Sequence, residues 1–232
     1  MASKPPSSDP PKRELRDSTT QVRKEKEEAE AKKMKVSTES CESFLGKIKK
    51  ERRTKTLKNH VQAIYAHEHT YKERLEKEPE VAAHKAKITE AKGEISATAY
   101  MLETYPQCEI VCGFSPGVGI DQVYVERDKG GKITKIYVVE AKGEGAGLSK
   151  GADKGDQMSD RWVTNSVLAM KPETAAEKEV QQEMIKALKD PHHPVELQGL
   201  VIGIDKGSVS EQPLPKEAQY PKGGDFRGSY KT

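Results

Sequence analysis

The sequence predicts an α/β fold, in which helices flank a β-sheet, and three features of the chain support this class. The stretch from Gly119 to Lys142 contains two runs rich in Val, Ile and Tyr around adjacent glycines, a pattern typical of a β-hairpin. On both sides of this hairpin, apolar residues recur at helical spacing. A last apolar run, VELQGLVIGID at residues 195–205, is typical of a buried strand.

The predicted core begins near Val81 and opens with a helix over residues 85–105. Its apolar side chains recur at helical spacing, namely at Ile88, Ala91, Ile95, Ala99 and Leu102. Pro106 ends this helix, because proline lacks the backbone N–H that a helix interior needs. A short strand at residues 108–114 and a turn at residues 115–119 then lead into the hairpin.

After the hairpin, a glycine-rich loop leads to two further helices. The first is predicted over residues 157–170, with Asp156 as its expected N-cap, and the second over residues 174–189. The loop matches neither the phosphate-loop pattern nor the dinucleotide-binding pattern, which argues against a nucleotide site there. With the strand at residues 195–205, the core order becomes helix, three strands, two helices and one strand.

Composition divides the chain into four segments. Residues 1–20 are rich in Pro, Ser and charged residues, and we expect them to be disordered. Residues 21–80 form a charged helical extension of one or two long helices, whose narrow apolar stripe predicts loose docking on the core. Residues 81–207 hold the folded domain, and residues 208–232, rich in Gly, Pro and Lys, are predicted to be a flexible tail.

Composition also limits the classes to which the protein can belong. Hydrophobic residues make up 34% of the chain, and no stretch approaches membrane-spanning length or resembles a signal peptide. The three cysteines, Cys41, Cys108 and Cys112, do not suggest a disulfide framework, so a reducing compartment is expected. We therefore expect a soluble protein without membrane insertion, and any export would use a route that reads no N-terminal signal.

A basic run lies within the helical extension. Between Lys47 and Lys58 there are seven basic residues and a single acid, Glu51. Such a run suits a polyanionic partner such as a nucleic acid. The more common origin of a charge run is a solvated helix face, and the sequence leaves both interpretations open.

The hairpin brings two acids together at one of its ends. If Gly130 and Gly131 form a two-residue turn, residues whose numbers sum to 261 face each other, so Asp121 lies opposite Glu140. Because side chains alternate between the two faces of a strand, Lys142 shares the face of Glu140.

Carboxylates that face each other in a hairpin lie about 5 Å apart and repel by roughly 3 kcal/mol at an effective dielectric constant of about 20. Either a raised pKa or a bound cation would offset this repulsion, and a divalent ion with oxygen ligands suits the pair. The plainer interpretation is a solvated strand edge at which Asp121 merely begins a strand. The spacing alone does not decide between them.

Together with their surroundings, these residues resemble the PD-(D/E)xK nuclease superfamily, in which an acid opens one strand and a Glu-x-Lys motif closes the next. The finer resemblance is to the nuclease domains of bacterial polymorphic toxins. Their signature of E-A-K-G, a glycine-rich loop and Q-M-S-x-x-W occurs here at residues 140–143 and 157–162, and their first-helix G-E pattern at residues 93–94. The resemblance covers residues 85–205, and it departs from the superfamily pattern where Ile120 replaces the proline before the acid.

The resemblance implies a restriction-endonuclease-like core of order α-β-β-β-α-β, with a mixed sheet flanked by helices. It implies that Asp121, Glu140 and the backbone carbonyl of Ala141 hold Mg²⁺ or Mn²⁺. Lys142 would position the attacking water and pair with the scissile phosphate, and Gln157 would contact that water or phosphate from its helix.

Three further site residues follow from the same resemblance. Glu94 would reach a metal-bound water from the first helix, although a solvent-facing helix carboxylate is an equally good interpretation. Lys150 and Arg161 are candidate contacts to the nucleic-acid backbone. Trp162 is more typical of a packed core residue than of a platform on which an unpaired base stacks.

The function implied by the resemblance is that of a metal-dependent endonuclease acting on DNA, with RNA as the alternative substrate. As an antibacterial toxin effector it would be secreted without an N-terminal signal peptide and would act in the cytoplasm of a rival cell. Within its producer it would be cytoplasmic. Its partners would be a cognate immunity protein and a secretion-system adaptor or chaperone.

Two other hypotheses belong to different functional classes. A housekeeping nuclease of the restriction or repair type could use residues 47–58 as an auxiliary nucleic-acid contact. A catalytically inactive nucleic-acid-binding module could keep the fold without the chemistry. The intact set of Asp121, Glu140 and Lys142 argues against the inactive module.

Overall fold

The computed structural model describes four ranges of the chain, namely residues 34–113, 119–151, 155–190 and 192–215. Within these residues, a six-stranded mixed β-sheet is covered by five α-helices, which confirms the predicted α/β class. The described residues form a single compact unit. None of the described helices is both long enough and apolar enough to cross a lipid bilayer. The segment 1–20, predicted to be disordered, and most of the turn at 115–119 lie outside the described residues.

The elements have the following bounds in the described ranges. The strands are β1 Met34–Lys35, β2 Glu109–Cys112, β3 Gln122–Arg127, β4 Ile133–Lys142, β5 Glu196–Asp205 and β6 Ser208–Gln212. The helices are α1 Cys41–Lys47, α2 Lys55–Lys77, α3 Ala82–Thr104, α4 Asp160–Ala169 and α5 Ala175–Lys189, with a short 3-10 helix at Lys50–Arg52.

The sheet has the strand order β1-β6-β5-β4-β3-β2. β4 and β5 run parallel, whereas the other neighbouring strands pair antiparallel. From α3 to β5 the elements follow the predicted order of helix, three strands, two helices and one strand. The parallel pair lies in the middle of the sheet, which explains why β5 is almost continuously apolar and buried.

Helices cover both faces of the sheet and bury its central strands. Side chains alternate along β4, so that Tyr137 and Val139 pack with α2 and α3, whereas Ile136 and Val138 pack with α4 and α5. The protein therefore has two hydrophobic clusters, one on each side of the sheet.

The turn between β3 and β4 contains three residues, so the predicted two-residue turn is wrong. The Asp128 N–H donates to the Lys132 carbonyl at 2.9 Å, and Gly131 adopts a left-handed φ of 82°. The Asp128 carboxylate accepts hydrogen bonds from two N–H groups inside the turn, at 2.8 and 2.9 Å. These bonds stabilise the longer loop, as aspartate often does in turns.

The register of the hairpin is nevertheless the predicted one, and Val123 faces Val138 as counted from the sequence. A register shift between Glu126 and Arg127, where β4 contains the extra residue Thr134, makes up for the extra residue in the turn. This β-bulge restores the alternation of side chains for the rest of the hairpin.

The helical extension belongs to the core, so the expected loose docking is wrong. Leu57, Val61 and Ile64 of α2 are almost fully buried in the same cluster as the inner residues of α3. The apolar stripe of α2 is narrow, but α2 packs lengthwise against α3 and needs no wider stripe. Residues 21–33 of the predicted extension lie outside the described residues.

Strand β6 lies in the segment predicted to be a flexible tail, so that prediction is wrong for residues 208–212. β6 forms a hairpin with β5 through Lys206 and Gly207, whose positive φ angles of 49° and 73° suit a two-residue turn. β1 also pairs with β6. Residues 216–232 of the predicted tail lie outside the described residues.

Two arginines of the basic run bind the backbone of the protein itself. Arg52 donates to three carbonyl oxygens at and beyond the end of α3: Leu102, Tyr105 and Cys108. Arg53 donates to two carbonyl oxygens at the end of α1. The solvated-face interpretation is therefore wrong for these two arginines, whereas the lysines of the run are exposed.

Candidate active site

The carboxyls of Asp121 and Glu140 meet where β3 begins and β4 ends. Asp121 immediately precedes β3, and Glu140 lies two residues before the end of β4, so the hairpin register places them side by side. The Ala141 N–H donates to Asp121 Oδ2 at 2.8 Å, which holds the Asp121 carboxyl at the residue next to Glu140. The structure thus brings together the acid pair that the sequence predicts.

Lys142 lies on the same face and binds the acid pair through Glu140. Its Nζ is 2.7 Å from Glu140 Oε1 and 2.9 Å from Gln157 Oε1. The Gln157 Nε2 donates to the same Glu140 oxygen. The Lys142 side chain is only 15% exposed, so this ion pair is largely shielded from water.

Gln157 reaches the site from a turn, so its predicted position on a helix is wrong. α4 begins at Asp160 because Ser159 is the N-cap, and the Ser159 hydroxyl accepts from the Trp162 N–H. Asp156, the expected N-cap, lies three residues before the N-cap that the structure shows, Ser159. Ser149 donates its N–H and its hydroxyl to Gln157 Oε1 at 3.0 and 3.1 Å, which ties the glycine-rich loop to the site.

Glu94 is buried on α3, with 3% of its surface exposed, so the solvent-facing interpretation is wrong. Its carboxyl accepts a hydrogen bond from Gln122 Nε2 at 2.6 Å. The charges of Asp121 and Glu140 raise the pKa of this carboxyl, in addition to the larger effect of burial. The structure therefore brings Glu94 to the inner side of the acid pair.

Two glycines allow α3 to approach the end of β4 this closely. A Cβ at Gly93 would lie 2.6 Å from the Gly143 nitrogen, and a Cβ at Gly143 would lie 2.3 Å from the Thr89 carbonyl oxygen. Both distances are shorter than any side chain tolerates. Gly93 of the G-E pattern and Gly143 of E-A-K-G therefore lie against each other, and this contact places Glu94 beside the site.

Burial and mutual repulsion perturb all three acids. Burial, together with the charge of Asp121, raises the pKa of Glu140 to about 9, although Lys142 opposes this shift. Burial also raises the pKa of Glu94 well above its usual range, and it raises that of Asp121 against the opposing hydrogen bond from Ala141. Without a cation, Glu140 therefore retains its proton at neutral pH, which is the first of the two outcomes that the hairpin register predicts.

The acid pair fits a hard divalent cation. Glu140 Oε1 is taken by Lys142 and Gln157, whereas no donor among the described residues reaches its buried Oε2. Within the described ranges, no group of three or more His, Cys, Asp or Glu side chains could hold a metal ion. Mg²⁺ needs no such group, because proteins commonly bind it with one or two carboxylates plus water and substrate phosphates.

The chain matches no family model, no curated protein and no solved structure. The assignment of this site therefore depends on its own residues and geometry.

Lys150 and Arg161 are both exposed beside the site. Lys150 follows Ser149, which binds Gln157, and Arg161 lies in the first turn of α4 next to Gly155. Trp162 is buried among apolar side chains, which confirms the interpretation of it as a core residue.

The sequence does not reveal two residues that support the site, Gln122 and Ser149. Gln122 carries a signal in principle, since it directly precedes the apolar run of β3 and a polar residue that is buried with such a run needs a partner. Gly93 carries a second signal. A glycine inside a helix lowers stability by about 1 kcal/mol relative to alanine, and it often marks close packing. Ser149 lies in a loop of small residues and has no such signal.

Proposed function

We propose that this chain is a metal-dependent endonuclease with a restriction-endonuclease-like core, which hydrolyses phosphodiester bonds in DNA. The observation that carries the proposal is the Asp121–Glu140 pair, in which Glu140 is buried, with the Lys142 ammonium 2.7 Å from Glu140. Two acids and a lysine at the ends of neighbouring strands suit metal-assisted hydrolysis of a phosphate ester. The motifs at residues 140–143 and 157–162 support the same proposal.

Asp121, Glu140 and the Ala141 carbonyl would hold Mg²⁺ or Mn²⁺. When bound, the ion supplies positive charge beside the scissile phosphate and makes water more acidic. Both carboxyls would then be ionised, because the opposing charge offsets the burial that otherwise raises their pKa values.

Lys142 would orient the attacking water and pair with the scissile phosphate, since its ammonium lies 2.7 Å from Glu140 Oε1. Gln157 restrains this ammonium, because its Oε1 accepts from Lys142 while its Nε2 donates to Glu140. Glu94 would orient water from the side of α3. Lys150 and Arg161 would contact the phosphate backbone outside the site.

The test is a cleavage assay with purified protein on supercoiled plasmid and on RNA, each in Mg²⁺ or in EDTA. Lys142→Ala is compared with Lys135→Ala, because Lys135 lies on the same strand but pairs with Glu196 away from the site. We expect cleavage in Mg²⁺ by the wild type and Lys135→Ala, none in EDTA, and a loss of about 10²-fold or more in Lys142→Ala.

Wild-type and Lys142→Ala proteins that leave both substrates equally intact in Mg²⁺ would refute the nuclease proposal. Faster cleavage of RNA than of plasmid would show that RNA, not DNA, is the preferred substrate. Equal cleavage rates for Lys142→Ala and Lys135→Ala would show that Lys142 takes no part in the chemistry.

We further propose that the nuclease is an antibacterial toxin effector, secreted without an N-terminal signal peptide and neutralised in its producer by an immunity protein. A secretion-system adaptor or chaperone would deliver it to the rival cell. Expression of the wild type in a bacterial host should then arrest growth, and Lys142→Ala should not. Relief of the arrest by the product of the neighbouring open reading frame would support this role. Normal growth with an active nuclease would favour a restriction or repair function instead.

A further inference from the structure

Behind the acid pair, Gln122 lies at the centre of a buried polar chain. It is fully buried, and its Nε2 donates to Glu94 Oε2 at 2.6 Å and to the Glu94 carbonyl at 2.9 Å. Its Oε1 accepts from the Tyr124 hydroxyl at 2.8 Å. The orientation of the amide follows from the backbone partner, because the Glu94 carbonyl only accepts hydrogen bonds and must therefore face the NH₂ group.

A second line of hydrogen bonds holds the same turn of α3. The Thr98 hydroxyl donates to the Glu94 carbonyl at 2.9 Å, and His60 Nε2 of α2 lies 2.9 Å from that hydroxyl. The backbone of Glu94 is thus held by Thr98 and Gln122 together. Its carboxyl is held by Gln122, the side chain that donates to it within the described residues.

We propose that Gln122 is a positioning residue that aims the Glu94 carboxyl at the Asp121–Glu140 pair, and that Tyr124 locks the Gln122 amide in the orientation this requires. A glutamate side chain has three rotatable bonds, and burial alone does not select the conformation that faces the site. The short bond from Gln122 does select it. The inference rests on the proposed nuclease function, because the position of Glu94 is read through the rate of phosphodiester cleavage.

The main test compares Gln122→Met with Glu94→Gln and with the double variant. Methionine has nearly the size of glutamine but no donor, so Gln122→Met should lower kcat by about tenfold to hundredfold. KM should stay within about twofold, because Gln122 is buried and does not face bound nucleic acid. In the double variant, the loss should not exceed that of Glu94→Gln alone, because there is no longer a carboxylate to position.

Gln181→Met is the matched control. Gln181 of α5 also donates its Nε2 to two carbonyl oxygens, those of Val167 and Met170, at 2.9 and 3.1 Å. Its substitution removes the same number of donated hydrogen bonds, two, on the opposite face of the sheet. It should lower stability but leave kcat unchanged, and any effect should add in full to that of Glu94→Gln.

Tyr124→Phe carries the test if Gln122→Met does not fold, because it removes a single hydroxyl and leaves Glu94 untouched. Like Gln122→Met, it should lower kcat, here by about threefold to tenfold. In the Glu94→Gln background it should have no further effect on kcat. Wild-type kcat in Glu94→Gln, or additive losses in the double variants, would overturn the inference.

The failure of this inference is distinguishable from the failure of the nuclease proposal. If the wild type cleaves and Lys142→Ala does not, the kinetic comparison decides the role of Gln122. If the wild type does not cleave, crystal structures of the wild type and Gln122→Met decide whether Gln122 holds Glu94. A Glu94 carboxyl that turns away in the variant supports positioning, and an unmoved carboxyl overturns it.

Discussion

Lys142 Nζ lies 2.7 Å from Glu140 Oε1, yet the other oxygen of that buried carboxyl, Oε2, has no donor within the described residues. One ammonium therefore faces two neighbouring acids, since the Asp121 carboxyl binds the N–H of Ala141, the residue next to Glu140. The cluster has more potential negative charge than its surroundings balance, unless a proton or a cation is added. Stability and chemistry are therefore expected to respond in opposite directions when one acid is removed.

Asp121→Asn is expected to stabilise the metal-free protein while abolishing cleavage. The asparagine Oδ1 can still accept from the Ala141 N–H, and its Nδ2 can donate to Glu140 Oε2. Because the charge of Asp121 is one cause of the raised Glu140 pKa, Glu140 ionises more readily in the variant, and a hydrogen bond to its charged form contributes about 1.5 to 3 kcal/mol. In EDTA at about pH 8, the Tm measured by circular dichroism should therefore rise by roughly 4 to 8 °C.

Mg²⁺ supplies the second half of this test. It should raise the Tm of the wild type, because a ligand that binds only the folded state stabilises it, and it should not raise that of Asp121→Asn. The control is Asp205→Asn at the exposed end of β5, which should shift the Tm by no more than about 2 °C. A lower Tm for Asp121→Asn in EDTA would show that the acid pair is not a source of instability.

The stability of the metal-free wild type is expected to fall as the pH rises above neutrality. Burial and the charge of Asp121 raise the pKa of Glu140 from 4.5 to about 9 in the folded chain. Between about pH 7 and about pH 8.5, Glu140 is protonated when folded and ionised when unfolded, so unfolding releases a proton. Glu140 alone should then lower the free energy of unfolding by up to about 1.4 kcal/mol per pH unit.

Urea unfolding in EDTA at several pH values measures this slope, and Glu140→Gln should flatten it. The buried His60, whose pKa burial lowers to about 3, is neutral in both states throughout this window and does not contribute. Its own effect lies at lower pH, where stability is lost as the unfolded chain takes up a proton below about pH 6.5. Identical slopes for the wild type and Glu140→Gln would contradict the raised pKa.

The β3–β4 hairpin shows why the sequence predicts the acid pair correctly. The two-residue turn was a wrong premise, but the extra turn residue and the bulge at Thr134 cancel, and the register beyond them is the counted one. Because side chains alternate along a strand, Glu140 and Lys142 lie on one face whatever the length of the turn. A local pattern is enough here because hairpin pairing is a contact between nearby residues.

The parts that the sequence does not predict depend on partners far along the chain. Arg52 and Leu102 are 50 residues apart, and His60 and Thr98 are 38 apart, so nothing local distinguishes these side chains from solvated ones. The β5–β6 turn has lysine at a position with positive φ, which lacks the usual asparagine or glycine signal. The burial of Glu94 likewise follows from the meeting of two helices and a sheet.

Gly93→Ala is expected to inactivate the protein although alanine favours helices. The new Cβ would lie 2.6 Å from the Gly143 nitrogen and 2.8 Å from the Lys142 carbonyl carbon, so α3 must move away from β4. Overpacking of this kind costs about 1 to 3 kcal/mol, more than the gain of about 1 kcal/mol in helix propensity. Because Glu94 moves with α3, we expect a loss in kcat of about tenfold or more.

Gly46→Ala is the matched control for this substitution. Gly46 lies in α1, and a Cβ there would have nothing within 4 Å, so alanine should stabilise the protein slightly and leave kcat unchanged. Cleavage rates and urea unfolding of both variants provide the measurement. Full activity in Gly93→Ala would mean that the approach of α3 to β4 is not needed for the chemistry.

The last prediction separates the structural arginines of the basic run from its exposed lysines. Arg52→Leu leaves the Leu102, Tyr105 and Cys108 carbonyls without their cation, so it should lower the free energy of unfolding by about 2 to 3 kcal/mol. Lys58→Leu should change it by less than about 0.5 kcal/mol. DNA affinity, measured by fluorescence anisotropy in the Lys142→Ala background, should stay unchanged in Arg52→Leu. Weaker binding in Lys58→Leu alone would identify the lysines as the auxiliary nucleic-acid contact.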